Sequence, residues 1–240
     1  MKTLFISDIH LETTNSSLTK MFLRFLQTEA TTAQALYLLG DLFESYIGDD
    51  ENSLLHQEVA AALAKLVARG IAVSLLNGNR DFLVGKQFAQ RCGATLLREP
   101  FVIDLYGVPT LLLHGDSLCT QDKAYQRLRW ILRHPLVQFL GLKLPLSLRL
   151  RVAEKLRAES QYATQSKSLM IMDVVQEAVE AALRENHVYR LIHGHTHRPA
   201  VHRFMVDGQR AERFVLGAWD VRAEYLEATP ELVRLVKFSR

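Results

Sequence analysis

The sequence predicts an α/β fold in which strands and helices alternate around a layered sheet. Three observations support this prediction. Short apolar runs of strand length recur through the first 120 residues, segments with helical spacing lie between them, and each apolar run ends in polar residues. Such alternation is typical of proteins whose sheet is covered by helices. A chain of 240 residues can bury about 70% of its unfolded surface, so it needs no disulfide to hold a core.

The elements follow from the spacing of apolar residues. Runs of four or five buried-type residues predict strands at 4–7, 35–39, 72–76 and 110–113, and repeats of three or four predict helices at 18–28 and 52–69. After residue 168 the alternation resumes. It predicts a helix at 169–184, a strand at 188–192, and successive antiparallel strands at 213–216, 221–226 and 231–238.

Residues 121–168 interrupt this alternation with a helical stretch rich in leucine and arginine. From Lys123 to Lys167 there are ten Lys and Arg against two acids, a local charge of +8, whereas the whole chain carries +3. The asymmetry indicates that this segment faces something anionic. We expect a single domain over residues 1–240 that carries the segment as a helical insertion, and a monomeric protein.

The composition argues against several classes of protein. Hydrophobic residues make up 48% of the chain and charged residues 23%, a balance typical of globular proteins rather than disordered ones. Cys92 and Cys119 lie far apart and are expected to be free thiols, which suits a reducing cytosol. We find no signal-peptide pattern, and no apolar stretch is long enough to span a membrane.

Polar residues follow the predicted strands at the point where each strand ends. They stand in five motifs: Ser7-Asp8-Ile9-His10, Gly40-Asp41, Gly78-Asn79-Arg80-Asp81, His114-Gly115-Asp116 and Gly194-His195-Thr196-His197. The carboxyl ends of neighbouring strands in an open α/β sheet converge on one crevice, so we expect these residues to meet. Each motif alone is common, but all five in this strand context predict one site.

Seven residues of these motifs are candidate metal ligands: Asp8, His10, Asp41, Asn79, His114, His195 and His197. Carboxylate, amide and imidazole groups without a thiolate suit two hard or borderline divalent ions. A bridging carboxylate can hold two ions about 3.5–4 Å apart, close enough to share one water. Asp41 is the candidate bridge. Two Mn²⁺ ions are the expected cofactors, with zinc or cobalt as alternatives.

Together the five motifs resemble those of the calcineurin-like metallophosphoesterase superfamily, across essentially the whole chain outside the insertion. The resemblance implies a sandwich of two β-sheets flanked by helices, with a dinuclear metal centre. It also implies two sets of ligands. Asp8, His10, Asp41 and His197 would hold one ion, and Asp41, Asn79, His114 and His195 would hold the other.

Arg80 departs from the superfamily pattern. Many members carry Gly-Asn-His-Glu, whose histidine stands beside the phosphate, at the position of Gly78-Asn79-Arg80-Asp81. An arginine cannot act as a general acid near neutral pH, but its guanidinium can hold phosphate oxygens through paired hydrogen bonds. This favours a leaving group that needs no protonation, such as a nucleotide or another low-pKa phosphate. The alternative is that Arg80 merely pairs with Asp81.

Longer phrases narrow the resemblance to the UDP-2,3-diacylglucosamine hydrolases of lipid A synthesis. They are Gly40-Asp41-Leu42-Phe43-Glu44 with Ile47-Gly48-Asp49-Asp50, then the segment 78–82, then the segment 114–120. The resemblance implies that water attacks the α-phosphorus of the UDP-linked lipid and gives UMP and 2,3-diacylglucosamine 1-phosphate. We expect catalytic roles for Asp41, Asn79, Arg80 and His195. The substrate contacts that the resemblance implies are Asn79, Arg80, Asp122, Ser160, Thr164, Lys167 and His195.

The insertion fits such a lipid on physical grounds. A substrate with two acyl chains, a sugar and a diphosphate needs an apolar slot beside cations, and residues 123–167 interleave leucines with arginines and lysines. A basic amphipathic segment also favours peripheral binding to an anionic membrane, here the cytoplasmic side of the bacterial inner membrane. The alternative is an ordinary helical cap whose leucines pack on the core.

Rival functions are disfavoured by particular residues. A nucleic-acid phosphoesterase would need aromatic side chains for base stacking, and the insertion offers only Tyr125, Trp130, Phe139 and Tyr162. A metal-free binding scaffold would not need all seven ligands, and a protein phosphatase would carry the histidine that Arg80 replaces. A soluble UDP-sugar or cyclic-nucleotide hydrolase remains the alternative.

Overall fold

Two β-sheets face each other between layers of helices in the computed structural model, which describes residues 1–166, 173–220 and 223–238. The first sheet contains β1 (Thr3–Ile6), β2 (Ala35–Leu39), β3 (Ala72–Leu76), β4 (Thr95–Leu96), β10 (Ala223–Ala228) and β11 (Val233–Phe238), in the order β11-β10-β1-β2-β3-β4. The second contains β5 (Phe101–Leu105), β6 (Val108–Leu112), β7 (Arg190–His193), β8 (Ala200–Val206) and β9 (Gln209–Val215), in the order β5-β6-β7-β9-β8.

The centre of each sheet is parallel; β10 and β11 at one edge of the first sheet, and β5 and β8 at the two edges of the second, pair antiparallel, whereas the edge strand β4 is parallel to β3. β1, β2 and β3 run parallel to one another, as do β6, β7 and β9. Parallel strands end at the same edge of a sheet, so the loops that follow β1, β2, β3, β6 and β7 open on one side of the molecule. This topology explains why residues from five distant motifs can meet.

The core lies in three layers. Phe5, Leu76, Leu112, Ile192 and Phe214 fill the space between the two sheets and are almost fully buried. The outer face of the first sheet is covered by α1 (Ser17–Gln27), α2 (Leu54–Val67) and α3 (Lys86–Cys92), and that of the second by α7 (Gln176–Glu185). Every residue of β1 is buried, as expected for a strand covered on both faces.

Local sequence sets where the covering helices begin and which face they bury. Ser16 caps α1 by accepting a hydrogen bond from the backbone N–H of Thr19 at 3.0 Å. Phe22, Phe25 and Leu26 recur at helical spacing and are buried against the sheet. Ser53 caps α2 in the same way, through the N–H of His56.

Three helices occupy the insertion: α4 (Lys123–Leu132), α5 (Pro135–Leu142) and α6 (Leu146–Ser166). Asp122 caps α4, and Pro135 opens α5 at the helix position that lacks an internal N–H partner. The expectation of a helical insertion is confirmed. Among the described residues, no helix is both long enough and apolar enough to cross a membrane.

Most ends of the predicted elements lie within about two residues of the observed ones. The exceptions are α7, which begins only at Gln176, with residues 173–175 outside any helix and residues 169–172 outside the described part of the chain, and β9, which begins at Gln209 rather than at residue 213. Two further differences are informative. Strands β4, β5 and β8 and helix α3 have no counterpart in the prediction. The strands of the last forty residues also do not form one antiparallel series, because β9 pairs with β7 and β8 whereas β10 pairs with β1 and β11. The segment between β9 and β10 crosses from one sheet to the other, which local patterning does not reveal.

Candidate metal centre

Backbone strain is concentrated at the strand ends that carry the predicted ligands. The non-glycine residues with positive φ include Asp8, His10, Asp41, His195 and His197, at 53° to 69°. This left-handed region is costly for residues with a Cβ, and such strain persists where the surrounding fold requires it. The sharp turns send the side chains into one crevice.

Within the described residues, two groups of side chains lie close enough to hold metal ions. The first is Asp8, His10 and His197, and the second is Asp8, Asp41 and His114. His10 Nε2 lies 3.4 Å from His197 Nε2, and His197 Nε2 lies 3.3 Å from Asp8 Oδ1. The structure therefore brings together five of the seven predicted ligands in two adjoining clusters.

Asp41 lies between the imidazoles of the two clusters. Its Oδ2 is 3.8 Å from His10 Nε2 and 3.6 Å from His114 Nε2. Its Oδ1 accepts a hydrogen bond of 2.7 Å from the backbone N–H of Arg80. This geometry allows one oxygen of Asp41 to face both clusters, which is the arrangement a bridging carboxylate requires.

Asn79 and His195 flank the second cluster. Asn79 Oδ1 lies 2.9 Å from His114 Nε2, whereas His114 Nδ1 lies 2.9 Å from the carbonyl oxygen of Leu39. A carbonyl at Nδ1 fixes the tautomer and leaves Nε2 free to bind a metal. The ring of His195 packs edge to face on His114, with centroids 5.1 Å apart.

The electrostatics of the crevice favour bound cations. Burial opposes protonation of His114, but the carboxylates of Asp41 and Asp8 outweigh it and raise its pKa to about 9. Burial, followed by the charge of His114, lowers the pKa of His195 to about 4. The crevice thus attracts positive charge through its acids and offers a neutral imidazole at His195.

The donor set fits divalent metal ions. Asp8 is completely buried, and its Oδ1 accepts no hydrogen bond from the residues that the structure describes. A buried carboxylate oxygen without a hydrogen bond is costly unless a cation meets it. Carboxylate oxygens beside imidazole nitrogens, with no thiolate among them, are a typical donor set for divalent ions of this kind.

Asp81 fastens the loops that carry the ligands. Its Oδ1 accepts the backbone N–H of Gly78 at 2.8 Å and that of Asp41 at 3.2 Å, and its Oδ2 accepts that of Leu42 at 2.8 Å. Burial and the nearby charge of Asp41 raise the pKa of Asp81 to about 6. The sequence alone suggested Asp81 only as a partner for Arg80. Its place in a strand-end motif is the one feature of the sequence that points to a role at the site.

Arg80 does not pair with Asp81 in the described structure. Its guanidinium is partly exposed, and Nη1 lies 3.9 Å from Glu44 Oε1. The carboxylate of Asp81 is instead surrounded by backbone N–H groups. The guanidinium of Arg80 therefore retains donors for a ligand.

An apolar cleft of about 270 Å³ adjoins the two groups of candidate metal ligands. Asn79 and Arg80 line its inner end. Its walls come from the loops after β2 and β3 and from the insertion segment, and include Tyr46, Phe82, Leu132, Val137, Leu144, Val152 and Leu156. Its volume is close to the lower end for ligand pockets, about 300 Å³. We call this space the apolar cleft.

Several cations of the insertion meet carboxylates of the protein itself. Arg129 Nε donates to Asp116 Oδ2 at 2.8 Å, and Arg133 Nη2 lies 3.4 Å from the same oxygen. Arg149 pairs with Asp50 and donates to the carbonyl of Ile47 at 2.6 Å. The expectation that the basic segment faces something anionic is therefore fulfilled in part by internal ion pairs that fasten the helices to the core.

The predicted substrate contacts differ in what the structure describes. Asp122 is buried at the start of α4, where its Oδ1 accepts the N–H of Tyr125 at 3.1 Å. Ser160 and Thr164 lie in the α6 helix, but their side chains are outside the described part of the chain, and Lys167 is outside it altogether. All seven substrate contacts stay predictions, and for these three the side-chain positions are not described either.

The two-sheet fold and its crevice of carboxylates and imidazoles define a metal-dependent phosphoesterase. Residues 1–199 match the family model described as calcineurin-like phosphoesterase, and the chain belongs to that family. Within it, the chain is 50% identical over 238 residues to a protein of Serratia proteamaculans, and 51% identical to one of Salmonella arizonae, with 99% of each chain covered. Both relatives are named UDP-2,3-diacylglucosamine hydrolase, and the chain belongs to their family.

A solved structure supports the fold at greater distance. Vacuolar protein sorting 29 from Cryptosporidium parvum shares 14% identity and a TM-score of 0.51, and the alignment covers 100% of this chain and 98% of that one. This similarity concerns the fold alone. The expectation of a helix-flanked sandwich of two sheets is confirmed.

Proposed function

We propose that the protein hydrolyses the pyrophosphate bond of UDP-2,3-diacylglucosamine, a step of lipid A biosynthesis, and releases UMP and 2,3-diacylglucosamine 1-phosphate. One observation supports this above all: the apolar cleft opens beside the metal cluster, with Arg80 and Asn79 at the junction. A diphosphate at the cluster would place its lipid-bearing half toward the cleft. The names of the relatives point to the same substrate.

The proposed cofactors are two Mn²⁺ ions. Asp8, His10, Asp41 and His197 would hold one ion, with Asp41, Asn79, His114 and His195 around the other. When bound, such ions activate water and offset the charge of phosphoryl oxygens. The buried Oδ1 of Asp8, which accepts no hydrogen bond from the described residues and lies 3.3 Å from His197 Nε2, supports this assignment, as does the position of Asp41 between His10 and His114.

The chain's own residues would orient the substrate for in-line attack. Water forms a bond to the α-phosphorus, and the bond from that phosphorus to the bridging oxygen breaks. The guanidinium of Arg80 would hold phosphoryl oxygens as their charge grows, because its donors are not taken by Asp81. His195, kept neutral by burial, would contact the phosphate from the other side.

The insertion would hold the rest of the substrate. The acyl chains would lie in the apolar cleft, and Asp122, Ser160, Thr164 and Lys167 would contact the sugar or nucleoside. We treat residues 1–240 as one metallophosphoesterase domain with a helical insertion, and the protein as a monomer. Apolar side chains of the insertion, among them Leu132, Val137 and Leu156, line the cleft, which supports the placement of acyl chains there.

We place the protein on the cytoplasmic side of the inner membrane as a peripheral protein. The insertion helices expose large apolar side chains to solvent: Trp130 is 72% exposed, and Leu136, Phe139 and Leu140 are each more than half exposed. Large exposed apolar side chains grouped on successive helices favour a site that meets a membrane or a partner. The ring of Phe139 also lies 4.4 Å from the Lys143 ammonium, which suits an anionic interface.

A comparison of two substrates tests the proposal. The purified protein is incubated with Mn²⁺, and UMP release from UDP-2,3-diacylglucosamine is compared with release from UDP-N-acetylglucosamine, each with and without EDTA. A strong, metal-dependent preference for the acylated substrate is the expected result. Equal rates, or turnover of only the soluble sugar nucleotide, would overturn the lipid assignment and favour a soluble UDP-sugar hydrolase.

A further inference from the structure

The two carboxylate oxygens of Glu44 contact different parts of the site. Oε2 lies 2.8 Å from His10 Nδ1, whereas Oε1 lies 3.9 Å from Arg80 Nη1 and 3.6 Å from Arg157 Nε. The side chain of Glu44 is only 14% exposed, so water screens these contacts weakly. One carboxylate thus touches a candidate metal ligand, the phosphate-binding arginine and the α6 insertion helix.

The contact with His10 fixes which ring nitrogen can bind metal. If Nδ1 donates to Glu44, the lone pair of Nε2 is directed at the cluster, where Asp41 and His197 lie. Carboxylate partners of this kind orient ligating histidines and make them better donors. Oε2 of Glu44 therefore acts on metal affinity.

The contacts with the two arginines act on the substrate end. Both guanidiniums line the apolar cleft and face the same Glu44 oxygen, whose negative charge offsets the repulsion between these two like charges. The separations of 3.6 and 3.9 Å are ion-pair distances rather than hydrogen bonds, so N–H donors remain available for a phosphate. Arg157 also reaches the backbone carbonyl of Glu44 at 3.5 Å, which ties α6 to this loop.

We propose that Glu44 is a positioning residue that couples the insertion helix and the phosphate-binding arginine to the metal site. Oε2 orients His10, and the negative charge of Oε1 holds the guanidiniums of Arg80 and Arg157 together where they line the cleft. Through this one side chain, helix α6 and the metal site keep a fixed position relative to each other. The substrate half of this inference rests on the proposed function, whereas the metal half does not.

Substitutions of Glu44 separate its two roles. Glu44→Gln keeps an amide oxygen that can accept from His10 Nδ1 but removes the charge that holds the arginines. Glu44→Ala removes both, and Glu44→Asp keeps the charge but shortens the reach. Glu12→Gln is the matched control, because Glu12 is an exposed acid in the segment after β1, which also carries His10. Each variant is measured by Mn²⁺ titration calorimetry on metal-free protein, by thermal unfolding, and by kcat and KM for UMP release.

We expect Glu44→Ala to weaken Mn²⁺ binding by about 10- to 100-fold, and Glu44→Gln to retain most of the affinity. Both should lower kcat/KM by about tenfold or more, since misplaced arginines cost transition-state binding. Wild-type Mn²⁺ affinity in Glu44→Ala would overturn the role of Oε2. Wild-type kcat/KM in Glu44→Gln would overturn that of Oε1.

Two controls keep the test decisive. If Glu44→Ala does not fold, Glu44→Asp replaces it for the metal measurement, because its shorter side chain cannot reach His10. The calorimetry contains no substrate, so it tests the metal role even if the wild-type protein releases no UMP from the acylated lipid. That last result would contradict the proposed function alone.

Discussion

Asp81 holds the backbone of Asp41 in place: its Oδ1 accepts the N–H of Asp41 at 3.2 Å, and both residues are buried. The same carboxylate accepts the N–H of Gly78, so it joins the loop after β2 to the loop after β3. Substitution of Asp81 alone tests this relationship. Removing the carboxylate leaves several buried backbone donors without a partner.

We therefore expect Asp81→Ala to lower the free energy of unfolding by about 3 kcal/mol, because each orphaned buried donor costs about 1–3 kcal/mol. Urea unfolding followed by circular dichroism measures the change. Glu58→Ala, on the exposed face of α2, serves as the control and should change stability little. A loss below about 1 kcal/mol in Asp81→Ala would contradict the bracing role.

Asp41→Ala should abolish nearly all turnover, because the residue lies between the imidazoles of both clusters. We expect EDTA to have the same effect on the wild-type protein and Mn²⁺ to reverse it. UMP release and metal content by atomic emission are the measurements. If the variant kept more than about a tenth of the wild-type rate, equivalent to less than about 1.4 kcal/mol of transition-state stabilisation, a bridging role for Asp41 would be wrong.

For Arg80→Ala we expect kcat to fall by more than KM rises. The guanidinium is not held by Asp81, so it can strengthen its contacts as charge accumulates on the phosphoryl oxygens. Steady-state kinetics with the acylated substrate separate the two constants. Arg69→Ala, at the exposed end of α2, is the control. A change confined to KM would mean that Arg80 binds the substrate and the transition state equally well.

Trp130 provides a spectroscopic test of membrane binding. It is 72% exposed, whereas Trp219 is buried, so a blue shift on adding phosphatidylglycerol vesicles reports Trp130. We expect a Trp130→Glu and Phe139→Glu double variant to bind vesicles at least about tenfold more weakly, since each large side chain contributes about 1.5–3 kcal/mol when buried. Because this variant lacks the reporter Trp130, its binding and that of the control are measured by co-sedimentation with the vesicles. Met205→Glu, equally exposed but on β8, should bind as wild type does. Unchanged binding by the double variant would exclude this surface.

Both cysteines should be inert in the folded protein. Burial raises the pKa of the Cys92 thiol and of the Cys119 thiol to about 12. The reactive thiolate is therefore almost absent at pH 8 while the chain is folded, and it forms readily once unfolding restores the ordinary pKa near 8.5. Thiol titration at pH 8 should detect two groups in guanidinium chloride and almost none in native buffer. Rapid labelling of native protein would contradict the buried positions.

The local sequence determined much of this protein. Apolar runs set β1, β2 and β3, and the residues that end those strands include candidate metal ligands that the structure gathers into two clusters. The reason is topological: in a parallel sheet, strands of similar length end on the same side, so residues just after them converge without further information. The resemblance of these motifs to a family was then confirmed by relatives at 50% identity.

Tertiary structure decided which charges pair and which remain free. The sequence shows a basic insertion, but only the fold places Arg129 and Arg133 on Asp116 and leaves Arg80 beside Glu44 rather than its neighbour Asp81. Tertiary structure also decided that β9 and β10, although neighbours along the chain, lie in different sheets. Contacts between residues far apart in sequence depend on how packed layers meet, and no local pattern encodes that geometry.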